Sequence, residues 1–313
     1  RTFRRRKAVS GTFIDEPATA YPTSRSPGER RDVAATFAPP YPLGMAAAAR
    51  VIIVTYNQLA ALHLALRGYL RQTTHDFGIT VADDGSRADT GEFLEAFGEE
   101  ARARGLGFNI AWQEDRGFRR AAISNEAVRR THDEPLLIFS DGDCIPPAHF
   151  VEHHLRVHEP WSFHVGGAYR LSETESASLT EADVDSGRFE TLGGLDHAKA
   201  LRRLRRKSFW GTLRHRRRRP KILGLNFAMD RDLFFALNGY DERFTEYGME
   251  DTDLGDRAMR PKPRARVKNL YTECDVYHLW HPSSPGGRAP GLAIYERHTH
   301  PPRCEFGLEH PAS

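Results

Sequence analysis

The 313-residue chain holds only three cysteines, Cys144, Cys274 and Cys304. They are odd in number and far apart, which excludes a disulfide framework and zinc-ligand spacing and suits a reducing compartment. No run of about 18 apolar residues occurs, so no membrane-spanning helix is expected. The basic N-terminus lacks the apolar core of a secretory signal, and a cytoplasmic protein is expected. GxGxxG is missing after the first strand, which excludes NAD or FAD binding of the Rossmann type. GxxxxGK[ST] and GxSxG are missing too, against a P-loop NTPase and an α/β-hydrolase. There are no internal repeats or heptads. Net charge is also scarce, because 45 Lys and Arg against 42 Asp and Glu leave +3.

What is present is the composition of a soluble globular protein, 39% hydrophobic and 28% charged. The length allows one large domain or two small ones. Charge is distributed unevenly: 202–221 carries eleven Lys and Arg, whereas Asp and Glu gather in 172–196 and 241–256. Residues 1–48 open with RTFRRRK and continue in Pro, Gly, Ser, Thr and Ala without apolar periodicity. They read as a disordered basic extension. Both basic segments leave peripheral membrane contact open, at the inner face of a membrane. Aromatics are too few among the basic residues for stacking on single-stranded nucleic acid, and no nucleic-acid partner is expected.

The run 50–55 is β-branched and predicts a strand. A helix follows, with Leu59, Leu62, Leu66, Tyr69 and Leu70 at helical spacing. Strands over 77–82, 107–112 and 136–140 alternate with helices over 90–104 and 119–131. Such alternation implies a parallel α/β sheet over about 50–145. Beyond it the pattern predicts a helix at 148–158, strands at 163–169, 222–229, 266–271 and 275–279, and helices at 231–238 and 252–259. Residues 172–221 show no clear periodicity and read as a mobile basic loop; 283–313 reads as a surface tail.

Each early strand ends in polar residues: Thr55-Tyr56-Asn57, Asp83-Asp84, Asp115-Arg116 and Asp141-Gly142-Asp143. In open α/β sheets, ligands bind beyond the carboxyl ends of the strands. Asp84 is placed to accept from a base N–H, Tyr56 to pack on the base, and Arg116 or Arg120 to meet phosphate. Asp141 and Asp143, with Gly142 between them for a tight turn, make a hard oxygen site. Mg²⁺ or Mn²⁺ with a diphosphate suits it better than Zn²⁺. Each residue alone reads equally well as a cap or turn; it is the set that points to a site.

Those motifs resemble the nucleotide-binding half of family 2 glycosyltransferases, which have the GT-A fold. The similar segments are Ile53-Val54-Thr55-Tyr56-Asn57, Val81-Ala82-Asp83-Asp84-Gly85-Ser86 and Ser140-Asp141-Gly142-Asp143. Arg116-Gly117, followed by Ala122 and Asn125, is similar to the NxGxxxARNxG stretch of that family, with Arg116 where it has Asn. The segment 224–229, Asn238-Gly239-Tyr240-Asp241-Glu242, Tyr247 to Leu254 and Arg257 resemble the acceptor-side motif of galactosyltransferase-type enzymes, NGFxNxxxGWGxEDDDL.

The resemblance implies an α/β GT-A domain over 49–282, with a nucleotide-binding half at 49–145 and an acceptor-side half at 146–282. It implies Asp251 as general base and Glu250 as a donor-sugar or acceptor contact; read without it, the pair is an acidic first helical turn. It implies Thr55, Tyr56, Asn57, Asp84, Arg116, Gly117, Arg120, Asp141 and Gly142 around the nucleotide. A metal would lie on Asp141, Asp143 and His278, with His281 as the second choice. The expected activity is inverting, metal-dependent transfer from a UDP-sugar to the hydroxyl of a glycan or small molecule. The rival readings are a nucleotidyltransferase and a non-catalytic nucleotide-sugar or glycan-binding protein.

Overall fold

The apolar run near residue 50 forms β1 (Ala49–Thr55), buried along its whole length. It is an inner strand of a seven-stranded sheet in the computed structural model, which describes residues 47–214, 220–282 and 287–311. Around it, β2 (Phe77–Asp83), β3 (Gly107–Trp112) and β4 (Leu136–Asp141) are parallel, in the order β3-β2-β1-β4. The two-residue period of a strand divides β1 between two cores. Val51 and Ile53 join α1 (Leu59–Leu70) and α2 (Ala88–Ala103) on one face; Ile52 and Val54 join α3 (Arg120–Arg129) on the other. The predicted alternation of strands and helices is therefore present, and the fold is mixed α/β with a mostly parallel sheet.

Beyond β4 the sheet continues through β8 (Asn226–Asp230), β6 (Ser162–Val165) and β9 (Arg266–Asn269). β8 runs antiparallel to both neighbours, and β9 is parallel to β6. A second sheet of three short strands places β10 (Asp275–His278) between β5 (Cys144–Ile145) and β7 (Gly167–Arg170). The preceding helix is α4 (Phe150–Val157).

Several expectations are corrected. The strand predicted at 163–169 is two strands in two sheets, parted at Gly166. A Cβ there would lie 2.3 Å from the Asn226 amide; without one, Asn226 Nδ2 donates to the carbonyls of Gly167 and Cys274 at 2.8 Å each and ties the sheets together. The strand predicted at 222–229 begins only at Asn226, and 222–225 is irregular.

Residues 172–213 are largely helical. α5 (Glu173–Ser178) and α6 (Glu181–Ser186) each start in a capping box, Ser172 with Glu175 and Thr180 with Asp183. A 3-10 turn (Arg188–Thr191) leads to α7 (Gly194–Leu213). α7 buries only Leu201, Ser208 and Gly211, too narrow a strip to leave an apolar period.

After β8 come α8 (Arg231–Ala236) and α9 (Glu250–Ala258), which starts two residues earlier than expected. The tail is no loose loop, since α10 (Ala289–Arg297) and the segment after it bury Tyr295, His300 and Cys304. Most of the expected extension at 1–48 lies outside the described residues, as does 215–219 of the basic stretch. No helix among the described residues is long and apolar enough to cross a membrane.

Candidate active site

In-register pairing sets the strand ends side by side: Thr55 is level with Asp83, and Val54 with Asp141. A cavity of about 790 Å³ opens at this edge. It is lined by Thr55, Tyr56, Asp84, Gly117, Arg120, Asp141, Gly142 and Asp143 from the first half, and by Glu250, Asp251, His278 and His281 from the second. Gly142 serves close approach rather than an unusual backbone angle, because a Cβ would meet Thr55 Cβ at 3.0 Å.

Two expected residues lie outside the cavity wall. Asn57 builds the turn after β1: it has φ of 51°, and its Oδ1 accepts from the Arg87 amide at 3.0 Å. Arg116 is exposed and pairs with Glu114 at 2.7 Å, so its guanidinium is not aimed at the site. Tyr56 is 48% exposed, and its hydroxyl donates to Asp115 at 2.9 Å. Asp84 accepts from the Arg119 amide at 2.8 Å and from Gln113. Burial raises its pKa and those donors oppose the rise.

The small sheet builds the other wall. Cys144 pairs with His278 across β5 and β10, and Leu279 N donates to the Asp143 carbonyl at 2.9 Å. Asp143 therefore faces His278 Nε2 at 3.7 Å and His281 Nε2 at 3.3 Å. Ligand-capable atoms of Asp143, His278 and His281 lie within 4.8 Å of one another, as do those of Asp141, Asp143 and Cys144. Burial, then the neighbouring Asp141, raises the Asp143 pKa. Burial, reinforced by Arg170, lowers that of His278 although Asp143 opposes it, which favours the neutral imidazole, the form able to bind a metal. Asp143 with the two imidazoles, and Asp143 with Asp141, are carboxylate and imidazole groups that could hold a divalent cation.

Across the cleft, Asp251 stands in the first turn of α9. It accepts from Gly224 N at 3.0 Å and from the Tyr240 hydroxyl at 3.0 Å. Burial raises its pKa, partly offset by Arg120, and burial with Asp251 raises that of Glu250. Arg120, expected at phosphate, lines the cavity and its guanidinium bridges the two walls, 2.5 Å from Asp141 and 3.8 Å from Glu250. A Cβ on Gly224 would be 2.6 Å from both Arg120 Nη2 and Asp251 Oδ2. The walls are therefore one electrostatic unit.

Sequence reasoning missed Arg170, Phe118, Trp280 and Arg288, all on the cavity wall. Arg170 had a signal, since it is the charged residue directly after the strand expected at 163–169. Arg288 had none, because it follows the tail's fold.

The architecture belongs to the GT-A class of glycosyltransferase folds. The mannosyltransferase PcManGT of Pyrobaculum calidifontis, solved with GDP-Man and Mn²⁺, superposes with a TM-score of 0.53 at 17% identity, over 82% of this chain and 66% of that one. GalNAc-T7, solved with UDP, GalNAc and Mn²⁺, gives 0.50 at 16%, over 80% and 47%.

The glycosyl transferase family 2 model matches residues 50–219, and that for the N-terminal domain of galactosyltransferase matches 205–280. The chain belongs to glycosyl transferase family 2. It is 28% identical to validoxylamine A glucosyltransferase of Streptomyces hygroscopicus subsp. jinggangensis, over 74% of this chain and 61% of that one. With the protein of the same name from subsp. limoneus the identity is again 28%, over 74% and 56%. The chain thus spans little more than half the length of these relatives.

Proposed function

We propose that this chain transfers a sugar from a nucleoside-diphosphate donor to the hydroxyl of a glycan or small molecule, with inversion and with a divalent cation. The observation that carries the reading is that Asp251 and the pair Asp141 and Asp143 line one cavity from opposite walls. Family membership favours it over nucleotidyl transfer. The relatives' name makes glucose the first sugar to try and validoxylamine A the first acceptor. UDP is the nucleotide that the resemblance to the family leads one to try first.

In this mechanism the Asp251 carboxylate takes the proton of the acceptor hydroxyl as its oxygen bonds to the anomeric carbon. The bond from that carbon to the diphosphate breaks, and the electron pair leaves with the diphosphate. Tyr240 and Gly224 N–H hold the carboxylate in one orientation, while burial keeps its pKa above the ordinary range, as suits a base. Asp141, Asp143, His278 and His281 would hold the cation, which supplies positive charge to the leaving diphosphate. Holding both substrates in one cavity supplies orientation.

The test is a screen of UDP- and GDP-sugars by melting temperature, with and without Mn²⁺, followed by chromatography of acceptor products. A ligand that binds only the native state raises its melting point. Stabilisation by one nucleotide sugar that needs Mn²⁺, with a glycosylated product, supports the reading. Stabilisation without turnover on any acceptor would leave a binding protein, and no stabilisation by any nucleotide sugar would end the proposal.

A further inference from the structure

Away from the cavity, α7 presents a surface that the transfer reaction does not use. At 3.6 residues per turn, Leu201 and Ser208 face inward, while Lys199, Arg202, Arg203, Arg206, Phe209, Trp210 and Leu213 share the outward arc. Phe209 is 57% exposed, Trp210 45% and Leu213 58%, and the two aromatic rings pack edge-on at 5.4 Å. Arg202 and Arg206 also line a groove of about 780 Å³ between α7 and β9. Arg205 pairs with Glu273 and Lys268 with Glu159, whereas Arg202, Arg203, Arg206 and Lys207 meet no carboxylate within 4 Å among the described residues.

We propose that the outward face of α7 docks on an anionic lipid surface. Charge decides the occupant. A protein cover would have to neutralise unpaired guanidinium groups, since burying them alone is strongly unfavourable. The chain's own residues 1–46 do not complement them, carrying eight Lys and Arg against four Asp and Glu. A second copy on a twofold axis would oppose the same basic helix to itself. A soluble polyanion would answer the arginines but leave Phe209, Trp210 and Leu213 in water. Lipid headgroups answer both, taking cations at the phosphate level and aromatic and leucine side chains just below it. This inference stands independently of the glycosyltransfer reading.

Sedimentation of the full chain with vesicles tests it, comparing three parts phosphatidylglycerol in ten against pure phosphatidylcholine. Binding is expected only to the anionic vesicles and to weaken with salt. Each surface cation contributes a factor of about five, so Arg202→Ala with Arg206→Ala should weaken binding about 30-fold. Phe209→Ser with Trp210→Ser should weaken vesicle binding while leaving binding to polyphosphate unchanged. Both pairs are solvent-facing, and each melting temperature is checked first; Arg202→Gln with Arg206→Gln serves if the alanine pair misfolds. Three results would overturn the proposal: no vesicle binding, binding insensitive to both pairs, or vesicle binding untouched by the aromatic pair with polyphosphate competing fully.

Discussion

Asp251→Asn is the sharpest perturbation, because the amide retains the shape of the carboxylate and loses its basicity. Asp251 accepts two hydrogen bonds, from Gly224 N and from the Tyr240 hydroxyl. An Asn can accept the first with Oδ1 and donate to the Tyr240 oxygen with Nδ2, so both contacts survive with one reversed. The variant also removes a buried charge whose pKa was raised by burial and by Asp141. Its melting temperature is therefore expected within a few degrees of the parent. Donor binding is expected to change little, since Asp141 and Asp143, the carboxylates proposed to hold the cation, stand on the other wall.

The loss falls on the chemical step. General-base catalysis contributes a factor of about 10² to 10⁴. That corresponds to about 3–5 kcal/mol in the barrier. The assay measures kcat with the acceptor identified by the screen, at saturating donor, beside donor affinity by calorimetry. The parent's kcat/KM should fall as pH drops through the raised Asp251 pKa, since only the carboxylate accepts a proton, and the variant should lose that limb. A kcat within tenfold of the parent, with the limb retained, would remove Asp251 from the mechanism.

Asp143→Ala should abolish Mn²⁺-dependent donor binding, read by calorimetry, with the far-UV spectrum unchanged; parent affinity would refute the metal assignment. Gly224→Ala sets a Cβ 2.6 Å from Asp251 Oδ2 and Arg120 Nη2, and kcat should fall at least tenfold while donor affinity holds; unchanged turnover would show that the carboxylate is free to shift. His154 is fully buried, hydrogen-bonded to His164 at 3.1 Å, and burial lowers its pKa to about 3. Between that value and about 6.5 the unfolded state binds the proton and the folded state does not, so stability falls with acidification by about 1.5 kcal/mol from pH 6.5 to 5. Urea midpoints should show that slope and His154→Gln should reduce it; identical slopes would refute the linkage. His300→Ala should lower the melting temperature by several degrees, because removing a partner of a buried carboxylate costs about 1–3 kcal/mol; an unchanged midpoint would show Asp253 satisfied by Arg257 alone.

The convergence of the strand-end residues on one edge was legible because it follows from one rule. Buried runs such as 49–55 and 136–141 can only be inner strands, and polar residues that end parallel strands converge on one side. Asp84, Asp141 and Asp143 are placed accordingly. The rule fails where a side chain has a nearer partner: Arg116 is turned away by Glu114, two residues off, and Asn57 is spent on its own turn. α7 was illegible because one narrow strip holds it, and the break at Gly166 because its cause, Asn226, lies sixty residues away. The tail was illegible because Pro and Gly at its start hid a helix that docks on α9, some forty residues earlier.

That tail bears on where Asp251 stands. Arg257 is fully buried, pairs with Asp253 at 2.7 Å, and donates to the carbonyls of Leu237 and Gly239 at 2.8 and 2.7 Å. His300 closes the same carboxylate at 2.7 Å and stacks on Tyr295, which itself bonds Asp256. Arg288, at the foot of α10, packs against Gly248 just ahead of α9. α9 is thus held in part by residues beyond 280, past the end of either matched family segment. The base proposed at the first turn of this nine-residue helix needs such a clamp, because a shift of one ångström is enough to spoil attack geometry. In the proposed mechanism the acidic motif supplies the proton acceptor, and the tail holds it in position.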